Sequence, residues 1–182
     1  EERACFIELL RAVPKGPRIE FGVFRGATLR LIAAEAEHIG PTYGVDSFQG
    51  MAAPSELDIK DGWNPYPKGR LLATPPHIPN TMLIKGFVPK VLEICPEGPF
   101  AFAHVDMDQY WPTWHALTWL FTRMLPQGII CCDDYFPERD WLAAGAINSL
   151  AKSTPLTGTV GVKLSGRCNE DGMRAAIRWH LH

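Results

Sequence analysis

Two short acidic runs carry the clearest chemistry in this chain: His104-Val105-Asp106-Met107-Asp108-Gln109-Tyr110 and Cys131-Cys132-Asp133-Asp134-Tyr135. Each follows an apolar stretch of the kind that forms a buried strand, so Asp106 and the Asp133-Asp134 pair stand at strand ends. Neighbouring strands lie about 4.8 Å apart. If these two are adjacent, three carboxylates crowd one small space, and they repel unless a cation joins them or a proton stays bound. A donor set made only of oxygen selects a hard divalent cation, Mg²⁺ above all, with water or substrate oxygens completing the octahedron. Asp106, Asp133 and Asp134 are therefore the candidate metal ligands. Asp108 is expected to face water.

A second constellation lies near the start of the chain. In Glu20-Phe21-Gly22-Val23-Phe24-Arg25-Gly26 the two glycines let backbone approach a bound molecule where a Cβ would collide. Asp46 follows at the end of the next strand, where a carboxylate can accept both hydroxyl protons of a ribose. A dinucleotide fold requires G-x-G-x-x-G, and Phe24 occupies the place of the second glycine. A nucleoside without a pyrophosphate fits better, S-adenosylmethionine being the common one. The candidate cofactor-binding residues are Glu20, Gly22, Val23, Phe24, Gly26 and Thr28 around the turn, then Asp46, Ser47 and Gln49 with Gly50 beside them. Gly86 and Phe87, after Lys85, complete the set on the adenine side. A cation beside a sulfonium methyl donor lowers the pKa of an acceptor hydroxyl, and a nearby carboxylate takes the proton; Asp106 is the candidate base.

The elements that must hold these groups alternate. Apolar spacing predicts a helix over 2–13, a strand from Arg18 to Phe24, and a helix capped by Thr28 and stopped at Gly40. Strands follow at Thr42 to Val45, Thr81 to Lys85 and Phe100 to Val105, with a short helix near Pro89 to Ile94. Pro112-Thr113 opens a helix whose inward face is Trp114, Leu117, Phe121 and Met124. After Gly128 comes the apolar strand Ile129 to Cys132, a helix around Trp141 to Ala151, and two strands near Thr159 to Leu164 and Met173 to His180. The pattern predicts a doubly wound α/β sheet, mostly parallel, with an antiparallel edge hairpin linked around Gly166 to Gly172 and helices on both faces. Ligands bind such sheets beyond the carboxyl ends of the strands. Between Met51 and Asn80, six prolines deny any long helix, and an irregular lid or binding wall is expected there.

The chain of 182 residues is 46% hydrophobic and 21% charged, enough for one core and one domain, with residues 1–17 as a terminal helix and linker. Its 18 basic against 20 acidic residues leave a net charge of −2, which gives no field for a nucleic-acid backbone or an anionic membrane. No apolar run reaches the roughly 18 residues of a membrane span and no leader opens the chain, so a cytoplasmic protein is expected. Five cysteines without a C-x-x-C pair read as reduced thiols. The start at Glu1 suggests a trimmed domain or part of a larger polypeptide, and a homo-oligomer is compatible.

Together, the glycine turn, YGVDSFQG, HVDMDQYWPTWHAL and GIICCDDYF resemble the macrocin and mycinamicin O-methyltransferase family over roughly residues 18 to 150. The resemblance implies a Rossmann-like class I methyltransferase that uses S-adenosylmethionine and Mg²⁺ to methylate a hydroxylated small molecule, a sugar or phenol of a natural product. It places the metal on Asp106, Asp133 and Asp134, the base on Asp106, and the cofactor turn and ribose acid on Glu20, Gly22, Gly26 and Asp46. Two departures stand out. Gln109 occupies the place of the lysine base of catechol-type relatives, and only a short helix precedes the first strand, so the acceptor side is open or built elsewhere.

Tyr110, Trp111, Trp114, Trp63 and Tyr66 are candidates for an aromatic acceptor wall, with core packing the better account of Trp114. His104 reads as a buried, hydrogen-bonded histidine that points away from the neighbours of Asp106. His180 and His182 alternate on one strand face, a spacing that can bind metal, but a frayed terminus accounts for them better. A nicotinamide-dependent oxidoreductase and a non-catalytic nucleoside-binding domain remain the alternatives to methyl transfer.

Overall fold

A computed structural model of the protein describes residues 2–136, 138–153, 160–163 and 173–179. The element order is α1 (Glu2–Ala12), β1 (Arg18–Phe21), α2 (Ala27–Ala34), β2 (Thr42–Asp46), β3 (Thr81–Lys85), β4 (Phe100–Val105), α3 (Tyr110–Leu120), β5 (Met124–Tyr135), α4 (Leu142–Ser153), β6 (Val160–Lys163) and β7 (Met173–Trp179). Single 3₁₀ turns occupy Glu56–Asp58 and Lys90–Ile94. The strands form one sheet in the order β3-β2-β1-β4-β5-β7-β6. The first five run parallel; β7 pairs antiparallel with both β5 and β6. The expected link around Gly166 to Gly172, and His180 and His182, lie outside the described residues.

Alternation along each strand divides the side chains between two layers. Ile19, Phe21, Ala103, Val105, Ile130 and Cys132 pack toward Ala116, Leu117 and Leu120 of α3 and Ile147 and Leu150 of α4. Phe102, Ile129 and Cys131 face Phe6 and Leu10 of α1 and Ile32 of α2. Fully burying one such large side chain contributes roughly 1.5–3 kcal/mol. The second layer also carries polar groups. Arg18 is buried and donates from Nη2 to the Leu10 carbonyl at 3.0 Å, satisfying one of the orphan carbonyls that end α1.

Several element ends differ from the sequence reading. β1 stops at Phe21, because Gly22 has φ 87° and leaves the extended region. The cap of α2 is Gly26, in the left-handed region at φ 76°, and Thr28 lies inside the helix with no capping role. Helix α3 begins at Tyr110 and ends at Leu120, so Met124 belongs to β5, which is longer than Ile129 to Cys132. Its first segment pairs Met124 with Phe100, and a register shift precedes Phe102 opposite Ile129. Among the described residues no helix is long and apolar enough to cross a membrane.

Candidate active site

The sheet order reverses at β1, with β2 on one side and β4 on the other, and the crevice of a doubly wound fold opens at that point. A cavity of about 250 Å³ lies there, lined by Gly22 after β1, Asp46 at the end of β2 and Ser47 after it, Gly86 and Phe87 after β3, and Asp106 after β4. Phe24 joins them from the glycine turn. With Gly50, expected beside Gln49, eight of the expected site residues thus meet around one space.

Gly22 serves this convergence differently from the expectation. A Cβ at this position would collide with the main-chain oxygen of Asp106, so the missing side chain lets β1 and β4 approach each other as they leave the sheet. The Asp106 N–H donates to the Phe21 carbonyl at 2.8 Å, which locks that approach. At Gly26 the obstacle is the far end of the Met51–Asn80 stretch: a Cβ would lie 2.8 Å from Ile78 Cδ1 and 2.8 Å from Pro76 Cγ.

Asp46 ties the turn to β2. Its Oδ2 accepts the N–H groups of Val23 and Phe24, both at 2.8 Å, and its Oδ1 accepts the N–H of Phe48 at 2.7 Å. A carboxylate offers about four lone-pair sites, so three are used by backbone and one remains for a ligand hydroxyl, not two. Ser47 is similarly organised, its hydroxyl donating to the Gly50 carbonyl and accepting the Gln49 N–H, each at 3.0 Å.

Five expected cofactor residues are not among those lining the cavity. Glu20 is buried and paired with His104, Oε1 to Nδ1 at 2.9 Å. Val23 is buried in a cluster with Leu29, Phe48 and Ile78 and contributes only backbone to the turn, its N–H donating to Asp46 and its carbonyl accepting the Gly26 N–H at 2.7 Å. Gly26 packs against the loop as described. Thr28 lines a separate groove with Phe6 of α1 and Leu31 of α2, on the other side of the turn. Gln49 is exposed.

Asp106 faces the cavity with its carboxyl pKa pushed up to about 8. Burial is the main cause, the carboxylates of Asp133, Asp108 and Glu20 add to it, and His104 opposes it. Burial likewise raises Glu20. For His104 burial works downward, but the hydrogen bond to Glu20 and the carboxylates of Glu20, Asp106 and Asp133 overcome it and raise the imidazole. His104 is thus buried and hydrogen-bonded as expected. It does not point away from the acids, however, since Glu20 and His104 are paired in register and Asp106 lies two residues on.

Register places Val105 opposite Cys132, so Asp106, just past β4, and Asp133 lie at the same level on adjacent strands, and Asp133 acts electrostatically on Asp106. The Asp133-Asp134 pair does not end its strand as expected, because β5 continues to Tyr135, which pairs with Met173. The side chain of Asp134 lies outside what is described. Among the described residues no group of three or more His, Cys, Asp or Glu side chains gathers as a metal site. Asp108, expected to face water, lines the cavity with φ 59°, and its carbonyl accepts the Ala143 N–H at 2.9 Å.

Sequence reasoning missed the rest of the wall. Met107, Gln109 and Pro112 come with the segment after Asp106, a proximity visible in the chain. Met51, Ala52 and Leu71 come from the long irregular stretch, which carried no signal of which residues turn inward. Of the aromatic candidates, Trp114 packs against the core, Trp111 and Trp63 are exposed, and Trp63 meets Trp141 edge-on at 5.8 Å.

Residues 19–135 match the family model described as a methyltransferase domain. Among solved structures, the chain is similar to the calicheamicin methyltransferase CalS11, at 22% identity and TM-score 0.72 over 98% of this chain and 77% of that one. It is similar to the O-methyltransferase NovP at 17% identity and TM-score 0.67, over 99% and 80%. A putative rRNA-methylase from Clostridium thermocellum shares 13% identity and TM-score 0.65, over 97% and 96%. These likenesses are likenesses of fold. No curated protein matches the chain.

Proposed function

This chain belongs to the methyltransferase-domain family, and from that premise we propose that it transfers a methyl group from S-adenosylmethionine to a hydroxyl oxygen of a small-molecule acceptor. The observation that carries the reading is Asp106: a carboxyl on the wall of the switch-point cavity, with Asp46 and Gly22 lining the same space, so a base for an acceptor hydroxyl and a support for the donor nucleoside meet there. The O-methyltransferases among the similar folds support oxygen as the acceptor atom. The net charge of −2 argues against an RNA acceptor.

The donor supplies an electrophilic methyl carbon on a sulfonium. The chain's own residues do the remainder. Asp46 offers its last lone pair to a ribose hydroxyl, Gly86 and Phe87 flank the base, and Gly22 keeps the turn low enough for the nucleoside to span from β2 to β4. Asp106 takes the hydroxyl proton as the acceptor oxygen forms its bond to the methyl carbon and the carbon–sulfur bond breaks.

We assign a Mg²⁺ site to Asp106, Asp133 and Asp134. The donor set fits, being all oxygen, and the carboxylates of Asp133, Asp108 and Glu20 acting on Asp106 mark an excess of negative charge that a divalent cation neutralises. Such an ion would supply positive charge that acidifies the acceptor hydroxyl. A natural-product sugar or phenol is the acceptor class the sequence motifs favour. The whole chain acts as one methyl-transfer domain, and its buried Cys95, Cys131 and Cys132, none of them in a disulfide, suit a reducing cytoplasm.

Calorimetric titration with S-adenosylhomocysteine, with and without Mg²⁺, tests the reading. Saturable binding is expected, and NADH is expected not to compete. Tight NADH binding with no response to S-adenosylhomocysteine would overturn methyl transfer.

A further inference from the structure

The stretch after β2 is closed at its neck and bolted at its middle. Met51 donates its N–H to the Arg70 carbonyl at 2.7 Å, and Gly69 donates to the Met51 carbonyl at 3.0 Å, so residues 51 and 69–70 pair and the chain between them forms a closed loop. Within it sits Asp58, only 2% exposed although it belongs to a single 3₁₀ turn of a surface loop. Its Oδ2 accepts the Ser55 N–H at 2.8 Å and the Ser55 hydroxyl at 2.7 Å. Its Oδ1 accepts the N–H of Tyr110 at 2.7 Å.

Tyr110 is the first residue of α3, and its N–H is one of the donors a helix cannot satisfy internally. Gln109, the residue at the cap position, makes no capping bond with its side chain. Asp58 does that work from the loop. Gln109 instead donates from Nε2 to the Ala52 carbonyl at 3.2 Å. Two bonds thus join the loop to the segment that carries Asp106. Met51 and Ala52 line one wall of the cavity, and Asp106 to Gln109 line another.

A buried carboxylate costs stability unless its lone pairs are filled, and here three donors and the positive end of a helix fill them. Inside the loop Asp58 and Ser55 form a capping box for the 3₁₀ turn, which uses one carboxylate oxygen; the other is spent outside the loop, on α3. We infer that Asp58 is a positioning residue for the methyl donor: it sets the gap between the loop wall and the Asp106 wall, and so makes this loop a fixed roof and not a swinging lid. The inference rests on the reading that this cavity takes S-adenosylmethionine.

The test is calorimetric affinity for S-adenosylhomocysteine, measured well below the melting temperature, for the wild type, Asp58→Ala, Asp58→Asn and Ser55→Ala. Loss of a charge-assisted bond between the walls is expected to weaken binding about tenfold in Asp58→Ala. Asp58→Asn keeps an acceptor for the Tyr110 N–H and is expected to fall between Asp58→Ala and the wild type. Ser55→Ala removes a bond inside the loop, not between the walls, and is expected to bind like the wild type. An affinity of Asp58→Ala within twofold of the wild type overturns the inference, even if the melting temperature drops, because a merely structural role moves stability alone. Should Asp58→Ala not fold, wild-type affinity in Asp58→Asn overturns it equally. A wild type that binds no S-adenosylhomocysteine sinks the underlying reading and this inference with it, an outcome distinct from binding that is insensitive to Asp58.

Discussion

Asp46 and Asp106 are the same residue type at equivalent places, each at the carboxyl end of a parallel strand and each lining the same cavity. Their surroundings set them to different work. Three backbone N–H groups converge on Asp46, one from the residue two ahead and two from the glycine turn. Asp106 has carboxylates for neighbours, Asp133 and Asp108 adding to burial, and its pKa stands at about 8. One acid is built into the frame and holds the turn in shape. The other keeps its charge unsettled, which is the condition for taking a proton or a cation. Backbone donors, which cannot leave, make a scaffold; burial beside other acids makes a reactive site.

The largest effect should come from Asp106→Asn, which removes the base and leaves the shape. Methyl transfer is expected to fall by about 10³-fold or more, while affinity for S-adenosylhomocysteine stays within about threefold. If activity survives, Asp106 is no more catalytic than Asp46. Asp46→Ala should do the converse and strike stability, leaving three backbone donors without an acceptor. Urea unfolding is expected to show a loss of about 2–4 kcal/mol, with cofactor affinity falling alongside. A loss confined to affinity would mean that the turn holds itself.

A pH series sharpens the contrast further. The folded state raises the pKa of Asp106 far above the 3.8 of an ordinary aspartate, so it favours the protonated form. That contribution to stability is complete below pH 3.8 and is lost as pH rises through about 8. Glu20 and His104, also raised, act in the same direction. The metal-free protein is therefore expected to lose stability from pH 5 to 9, less steeply in Asp106→Asn, and Mg²⁺ is expected to restore it at the alkaline end. Urea midpoints across that range check the sign. Smallest of all should be Thr28→Ala: because Thr28 lines the groove beside α1, affinity for S-adenosylhomocysteine is expected to change less than about twofold.

The parallel sheet was legible because its signals are local. β3 and β4 run from the residues the apolar pattern marked, Thr81 to Lys85 and Phe100 to Val105, and β2 differs only by taking in Asp46. The first part of β5 was not, since Pro126 and Gly128 interrupt any strand pattern there, and pairing with β4 overrides that weakness. Thr28 is a good capping residue in isolation, yet Gly26 takes the role because the turn enters the helix with positive φ. In the site, Gly22, Asp46, Gly86 and Asp106 were legible from their places at strand ends. Met51, Leu71 and the Asp58 bond to Tyr110 were not, because irregular backbone has no period from which an inward direction can be read.

Local pattern decided the order of the strands and which acids and glycines follow their apolar runs, since strand periodicity and turn chemistry act over a few residues, while the ends of β1 and β5 were set by their surroundings. The ionisation of those acids and the partners they keep were decided by the tertiary structure. Burial and the approach of distant donors set the free energy of a charge, and neither exists until β1, β2, β4 and the loop after β2 are in place.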